Sequence, residues 1–304
     1  MSELRIGVIG GTGLGQLLEG SHGTRRQVDT PFGKPSDAII ETQWEGLTVL
    51  LLSRHGPGHL LNPSRLPSRA NIFALKQLGC THILAAGAVG SLRHEFAPRD
   101  LVVVDQLIDK TVGRPATFYE SAAVHVEFAE PFCPVLRKIL LEAGREKSGG
   151  SKVHDGGCYV CMEGPAFSTR AESLMHRLWG GDLIGMTACP EAKLAREAEI
   201  PYALTALVTD HDCWKTKPAA PDASTTTSGD PQALLAEIIA NLNAASANAM
   251  ELIRSALRKI AADPVPLAAC PASSALKQAI WSDKSSIDAQ EIRRLGPLWG
   301  RYFG

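Results

Sequence analysis

The chain has 304 residues, of which 44% are hydrophobic and 21% charged, and its formal net charge at pH 7 is −1. This composition is typical of a globular protein with a sizeable core. The balanced charge argues against partners that need a basic surface, so we expect no nucleic-acid and no membrane partner. The amino terminus has no charged leader before an apolar segment, and no apolar run approaches bilayer length, which predicts a cytoplasmic location.

The seven cysteines are odd in number and lack the spacing of a disulfide framework, which favours reduced thiols. Cys158 and Cys161 form the one suggestive pair. A zinc or redox site would need a second pair or a helix beginning at the first cysteine, whereas this segment has the pattern of a strand bounded by glycines. We therefore predict no metal site.

The predicted elements alternate between strands and helices along the chain. Predicted strands span 5–9, 47–52, 82–86, 101–105, 158–162, 182–184 and 202–208, and predicted helices span 70–78, 135–143, 170–179, 191–199, 232–261 and 289–295. This alternation predicts an α/β domain whose sheet is covered on both faces. The composition changes after residue 261, which indicates one domain over 1–261 followed by a C-terminal extension over 262–304.

The first strand leads into a glycine-rich turn, Gly11-Thr12-Gly13-Leu14-Gly15. Dinucleotide binding requires G-x-G-x-x-G, and here the last glycine comes too early to allow the close helix packing of that motif, so this function ranks last. The backbone amides and the Thr12 hydroxyl remain suited to an anion. A tight turn without a ligand is the simpler interpretation of this stretch taken alone.

Polar or small residues follow several predicted strands, where ligands collect in α/β folds. Arg54 and His55 follow the strand 47–52, and a predicted turn of small residues over 88–91 would admit a flat ligand. Phe167 and Ser168 precede one predicted helix, and Met186 and Thr187 precede another. The alternative for each is a structural role, as a solvated loop residue or a core phenylalanine.

Asp210 and Asp212 stand two residues apart after the last predicted strand. If the strand conformation continues through them, both carboxylates lie on the same face. Their repulsion and partial burial then predict a raised pKa for at least one, which suits a proton donor near neutrality. An acidic turn or a cation site is the alternative, although two carboxylates are fewer than a metal ion requires.

Taken together, these segments resemble a known family. The order and spacing typical of the trimeric purine nucleoside phosphorylases are found for IGGTG, DTPFGKPSD, SRHGPGH, RANIFALK, GAVGSL, EGPAFSTRAE, GMTACPEAKLA and TDHDCW. The resemblance covers residues 4–215 and is closest to the branch that cleaves 5′-methylthioadenosine. It implies a three-layer α/β sandwich around a central mixed β-sheet with a C-terminal tail. It also implies a homotrimer that uses no cofactor and takes inorganic phosphate as co-substrate.

The resemblance also implies a role for each candidate residue. The residues implied for phosphate binding are Gly11, Thr12, Arg54, His55 and Thr187. Those implied for the nucleoside are Ala88, Val89, Gly90, Phe167, Ser168, Met186 under the ribose, and His125 from a neighbouring subunit. Asp210 and Asp212 are implied as catalytic: Asp210 shares the proton that N7 of the departing purine requires, and Asp212 raises its pKa and helps to bind the exocyclic amine.

The expected base is adenine. The 6-oxopurine enzymes of the family have a Glu and an Asn where this chain has Ser168 and Asp210, and a carboxylate accepts from an amino group but repels a carbonyl. We predict phosphorolysis of 5′-methylthioadenosine to adenine and 5-methylthioribose 1-phosphate, in purine and methionine salvage. The main alternative is a general purine nucleoside phosphorylase acting on inosine, guanosine or adenosine. A hydrolytic nucleosidase would not need an anion site, and a nucleotide-binding module would not need an acid pair.

Three positions depart from the family pattern. Gly87 stands where a threonine usually binds phosphate, which predicts weaker phosphate binding. Ala166 replaces a common arginine, and Pro67 is tolerated if it opens a helix. A polar loop over 218–231 leads to the pocket for the 5′ substituent, which is apolar in this branch, and Leu234 and Leu235 are candidates for its lining.

Overall fold

The computed structural model describes residues 3–146, 151–215 and 231–303, with the backbone alone over 231–235. The strands are β1 (Arg5–Gly10), β2 (Thr24–Arg26), β3 (Ile39–Trp44), β4 (Leu47–Ser53), β5 (His82–Ser91), β6 (Leu101–Val103), β7 (Gln106–Lys110), β8 (Val153–Asp155), β9 (Cys158–Met162), β10 (Leu183–Gly185) and β11 (Tyr202–Asp210). The helices are α1 (Leu14–Glu19), α2 (Ser68–Gln77), α3 (Pro134–Arg145), α4 (Arg170–Leu178), α5 (Ala188–Glu197), α6 (Pro231–Ala262), α7 (Ala289–Arg294) and α8 (Gly296–Trp299). The predicted loop up to residue 230 and the side chains of Leu234 and Leu235 lie outside the described residues.

These strands form one mixed sheet. Its main path is β2-β3-β4-β1-β5-β10-β9-β7, and β11 branches from it by pairing with β5 and β6, with β8 beyond β6. β1 runs parallel to β4 and β5, and β11 runs parallel to β5, whereas β3 is antiparallel to β4 and β10 to β5. The carboxyl ends of β1, β4, β5 and β11 therefore meet at one edge of the sheet.

Helices cover both faces of the sheet, because the buried side chains of its central strands alternate between two cores. In β1, Ile6 and Val8 pack into the core that contains α1, α3 and α6, and Ile9 packs into the core that contains α2, α5 and α8. This alternation is the period of two expected for strands buried on both sides. The predicted fold class, a three-layer sandwich around a mixed sheet, is confirmed.

The C-terminal segment 262–303 contributes to the core. Leu276, Leu295 and Trp299 are fully buried in the same core as α2 and α5. The buried carboxylate of Glu199 accepts hydrogen bonds from the amide of Leu276 at 2.9 Å and the hydroxyl of Tyr302 at 2.6 Å. Apolar contacts and a buried polar anchor therefore both hold this segment against the rest of the chain.

The predicted turn over 88–91 is wrong, because β5 continues to Ser91. Gly90 pairs with Asp210 of β11 on one side and with Ile184 of β10 on the other. Small residues have a weak local preference for strands, and here ladder hydrogen bonds on two sides outweigh it. Ala88, Val89 and Gly90 are thus presented by a rigid strand.

Gly15 allows close packing of a helix, although its spacing differs from that of the dinucleotide motif. A Cβ on Gly10 would lie 2.8 Å from the Gly15 nitrogen, and one on Gly15 would lie 3.0 Å from the Ser53 hydroxyl oxygen. Glycines at both positions therefore let α1 approach β1 and β4 closely. Pro67 directly precedes α2, where its missing N–H interrupts no helical hydrogen bond, so the condition under which this proline is tolerated is met.

Candidate active site

The glycine turn after β1 contacts Arg54, which follows β4. The Gly11 amide donates to the Ala86 carbonyl of β5 at 3.2 Å, and Arg54 Nη1 donates to the same carbonyl at 2.9 Å. A Cβ on Gly11 would lie 2.6 Å from Arg54 Nη1, so only glycine allows this approach. Thr12, half-buried, lies in the same turn. Three neighbouring parallel strands thus bring the turn and the arginine together.

Arg54 is buried and paired. Its Nε and Nη2 each donate to a Glu191 carboxylate oxygen at 2.7 Å, and the Tyr202 hydroxyl donates to that carboxylate at 2.8 Å. Burial opposes the arginine's charge, but the Glu191 carboxylate raises the pKa of Arg54 above its usual value. Within the described residues, three of the five N–H donors of the guanidinium have acceptors, which leaves one on each terminal nitrogen for an anion.

His55 follows Arg54 in the chain, and its surroundings select one tautomer of the neutral ring. Its Nδ1 is 2.8 Å from the Leu61 carbonyl oxygen, and its ring stacks on His59 with centroids 4.2 Å apart. Burial lowers the pKa of His55 to about 4, so the ring is neutral near pH 7. Since a carbonyl only accepts, Nδ1 carries the hydrogen and Nε2 is an acceptor. Nε2 can therefore accept a hydrogen bond from a protonated phosphate oxygen.

Gly87 of β5 lies between two of the predicted phosphate residues. A Cβ on Gly87 would lie 3.4 Å from Thr187 Oγ1 and 3.8 Å from Arg54 Nη1. The structure therefore brings the glycine turn, Arg54 and Thr187 together beside Ala86 and Gly87, in the middle of β5. In the family that the motifs resemble, a threonine usually stands where this chain has Gly87. Here the space beside Gly87 is lined by the Thr187 hydroxyl and the Arg54 guanidinium.

The two aspartates lie together, but through a turn. Asp210 ends β11, and Asp212 has φ 43° and donates its amide to Asp210 Oδ1 at 2.7 Å. The strand therefore continues through Asp210 but not through Asp212, because Asp210 accepts from the backbone two residues on, as aspartates do in turns. A Cβ on Gly90 would lie 3.1 Å from Asp210 Oδ1 and 3.3 Å from Asp212 Cβ, so both residues stand over the same strand position.

The surroundings of Asp212 raise its pKa. Burial raises the pKa of Asp212, and the neighbouring Asp210 charge adds to the effect, whereas a hydrogen bond from the Ser173 hydroxyl opposes it. Asp210 Oδ2 is 2.7 Å from the Thr209 hydroxyl oxygen. Asp212 is therefore protonated more readily than an ordinary aspartate. Asp210 is oriented by the Thr209 hydroxyl and the Asp212 amide.

The loop before α4 packs on Met186. A Cβ on Gly164, whose φ is 66°, would lie 2.5 Å from Met186 Sδ, so the contact requires glycine. The side chain of Phe167 in this loop is 83% exposed, and Ala166 is also exposed. A capping box at the start of α4 holds the end of the loop that contains Ser168. An aromatic ring face is therefore available to a flat ligand.

His125 packs against the C-terminal segment. Its amide donates to the Ala279 carbonyl at 2.9 Å, and its ring lies against Trp281 with centroids 4.6 Å apart. Among the hydrogen bonds and ring contacts of the described residues, none joins His125 to the phosphate or base residues of the same subunit. Trp281 is 71% exposed. Sequence reasoning missed Trp281, although an aromatic residue within a polar stretch was an available signal.

The sequence also left the partners of Arg54 unassigned. Glu191 pairs with the arginine and Tyr202 donates to that carboxylate, and a buried guanidinium requires such a counter-charge. Over the ranges 3–146, 151–215 and 231–303, no group of three or more His, Cys, Asp or Glu side chains is arranged to hold a metal ion. In that part of the chain, no helix has the length and apolarity needed to cross a membrane.

Comparison with known proteins gives the family of the chain. The family profile of the phosphorylase superfamily matches residues 5–258, which defines the class of the protein. S-methyl-5′-thioadenosine phosphorylase from Gloeobacter violaceus is 45% identical over 99% of this chain and 96% of its own length, and the enzyme of the same name from Chloroflexus aurantiacus is 45% identical over the full length of both. The chain therefore belongs to the S-methyl-5′-thioadenosine phosphorylase family within that superfamily.

Solved structures show the same likeness. A methylthioadenosine phosphorylase sourced from an antarctic soil metagenomic library has a TM-score of 0.84 and 41% identity, over 98% of this chain and 99% of that chain. A mutant of adenosine/methylthioadenosine phosphorylase from Schistosoma mansoni, in complex with methylthioadenosine, has a TM-score of 0.81 and 37% identity, over 92% of this chain and 99% of that chain. The family resemblance predicted from the sequence motifs is confirmed.

Proposed function

We propose that the protein catalyses phosphorolysis of 5′-methylthioadenosine to adenine and 5-methylthioribose 1-phosphate. The observation that carries the proposal is the juxtaposition at one sheet edge of an anion site and an acid pair. In the part of the chain that the structure describes, two N–H donors of Arg54 have no acceptor, and this guanidinium and the Thr187 hydroxyl both lie near Gly87. Asp210 and Asp212 stand over the same strand, β5. The names of full-length relatives at 45% identity support the same substrate.

The reaction balances with phosphate as the only co-substrate. As the bond from C1′ to N9 breaks, its electron pair leaves with the purine, and positive charge grows on the ribose. A phosphate anion held beneath the sugar stabilises that charge and then forms the new bond to C1′. Neither an organic cofactor nor a metal ion is needed for these steps, so we propose that none is used. Gly11, Thr12, Arg54, His55 and Thr187 are proposed to hold the phosphate.

The leaving purine accepts a proton at N7. We assign Asp210 to share that proton and Asp212 to stand beside it and help to bind the exocyclic amine. The base lies along Ala88, Val89 and Gly90, with Phe167 and Ser168 around its ring and Met186 under the ribose. A carboxylate at Asp210 accepts from the 6-amino group of adenine and repels a 6-oxo group, which disfavours inosine and guanosine.

The proposed assembly is a homotrimer in which His125 enters a neighbouring subunit's site. Trp281 packs on His125, so both residues would be presented together. Exposed apolar side chains supply contact surface for a second copy, since such surfaces mark interaction sites: Val112 is 78% exposed and Leu178 87%. We also propose residues 1–261 as the catalytic domain and 262–304 as an extension that completes its core. The cytoplasmic location stays a prediction.

Release of the free purine base tests the proposal. Methylthioadenosine, adenosine, inosine and guanosine are each incubated with the protein, with and without phosphate. Strictly phosphate-dependent release, fastest with methylthioadenosine, is the expected result. Release without phosphate would indicate a hydrolase, preference for inosine or guanosine would overturn the assigned base contacts, and binding without turnover would indicate a nucleotide-binding module.

A further inference from the structure

Arg114 lies in the loop after β7, apart from the residues assigned above, and its side chain is only 5% exposed. Its Nη1 donates to the carbonyls of Met186 at 2.7 Å and Cys189 at 2.9 Å. Its Nη2 donates to the carbonyls of Met162 at 3.4 Å and Glu163, and Nε is 3.2 Å from both carboxylate oxygens of Glu163. All five N–H donors of the guanidinium therefore have acceptors.

The four carbonyls belong to two different loops of the site. Met162 ends β9 and leads into the loop 164–168, which presents the exposed phenylalanine. Met186 and Cys189 stand on either side of Thr187, between β10 and the body of α5. One planar cation thus joins the base loop to the phosphate loop.

The backbone at Thr187 is held from both sides. The carbonyl of Met186 accepts from Arg114, and the amide of the same peptide group, that of Thr187, donates to the Tyr159 hydroxyl at 3.3 Å. In a trans peptide these two groups point in opposite directions, so the plane cannot rotate without breaking a hydrogen bond. Cys189 is held similarly, since its amide donates to the Cys161 sulfur at 3.2 Å.

We propose that Arg114 is a positioning residue for the reaction: it fixes Met186 and Thr187 relative to the loop 164–168. This inference rests on the proposed function. Glu163 keeps the guanidinium in its plane and also accepts the Val112 amide at 2.7 Å. Lysine cannot replace Arg114, because an ammonium has three donors at one point and cannot reach all of these acceptors together.

Arg114→Lys is expected to raise the KM for phosphate and for methylthioadenosine and to lower kcat. The combined loss in kcat/KM is expected to be about 100-fold, the order of effect that a displacement of about 1 Å produces. KM does not depend on how much folded enzyme is present, so a role in stability alone would leave both KM values unchanged. Unchanged KM values in a folded Arg114→Lys variant would overturn the inference.

Arg137→Lys is the matched control. Arg137 also donates to a main-chain carbonyl, that of Val104 at 3.0 Å, and to a carboxylate, that of Asp155 at 2.7 Å. It lies on α3, away from the loops of the site. Its kinetic constants are expected to equal those of the wild type, and an equal rise in KM in this control would also contradict a specific role for Arg114.

Glu163→Gln provides a milder variant if Arg114→Lys does not fold. The amide keeps the size of the side chain and one acceptor oxygen, and the same rise in both KM values is expected at a size on the order of 10-fold. Calorimetric titration with inorganic phosphate adds a readout that needs no turnover. If wild type binds phosphate but releases no adenine, the proposed function fails, whereas equal phosphate affinity in wild type, Arg114→Lys and Glu163→Gln overturns the positioning role.

Discussion

Asp210→Asn removes the proposed proton donor with little structural change. Asparagine has the same shape, and its oxygen still accepts the Asp212 amide, which lies 2.7 Å from Asp210 Oδ1. Its new amino group lies next to the Thr209 hydroxyl oxygen and can donate to it. The Thr209 hydroxyl then donates its own hydrogen to the Val89 carbonyl, 3.1 Å away. The variant is therefore expected to fold and melt like the wild type.

The expected loss is in the chemical step. A positioned acid contributes about 10²- to 10⁴-fold to the rate, which corresponds to about 3–5 kcal/mol of transition-state stabilisation. An asparagine amide cannot take up and return a proton. Burial and, in addition, the Asp210 charge hold the pKa of Asp212 above its usual value, so removal of that charge lowers this pKa and leaves Asp212 less often protonated near pH 7. Asp212 is then a poor substitute for the lost proton donor.

A substrate whose base needs no proton to leave distinguishes proton donation by Asp210 from a role in binding or folding. Methylthioadenosine methylated at N7 already carries a positive charge on the base, so Asp210→Asn is expected to cost it less than about 10-fold in kcat/KM, against 10²- to 10⁴-fold for methylthioadenosine. Asp263→Asn, an exposed aspartate after α6, serves as control and is expected to have wild-type constants. Equal losses on both substrates, or full activity on methylthioadenosine, would refute the reasoning.

Three further predictions concern phosphate affinity and stability. Gly87→Thr is expected to lower the phosphate KM by about 2- to 12-fold in initial-rate titrations, because the new side chain begins 3.4 Å from the Thr187 hydroxyl oxygen and can donate one hydrogen bond to the anion; a higher KM would contradict this. Glu191→Gln is expected to lower the free energy of unfolding by about 3–5 kcal/mol in urea, since Arg54 stays buried without its counter-charge. Burial raises the pKa of Glu197 from 4.5 to about 7, so its contribution to stability is present below pH 4.5 and is lost as the pH rises through 7. Glu197→Gln should remove this loss of about 3 kcal/mol, and an unchanged pH profile of urea unfolding would count against it.

Local pattern alone determined much of the architecture. The apolar runs of β1, β4 and β11 and the alanine-rich helix α6 lie within one or two residues of their predicted bounds, because strand and helix periodicity are properties of neighbouring residues. Gly11, Arg54, Thr187 and Asp210 were predicted as candidates because they follow strands, and the structure places these residues at the carboxyl-terminal edge of the sheet, although their roles stay predictions.

Tertiary structure decided what depends on distant partners. β5 continues through its small residues because β10 and β11 flank it, and no local signal identifies those neighbours. Arg54 is tied to Glu191, 137 residues further along the chain, and Arg114 meets carbonyls from two separate loops. A sequence pattern reports which residues are apolar or charged, whereas pairing of buried polar groups is settled only when the folded backbone brings donor and acceptor within 3 Å and excludes water.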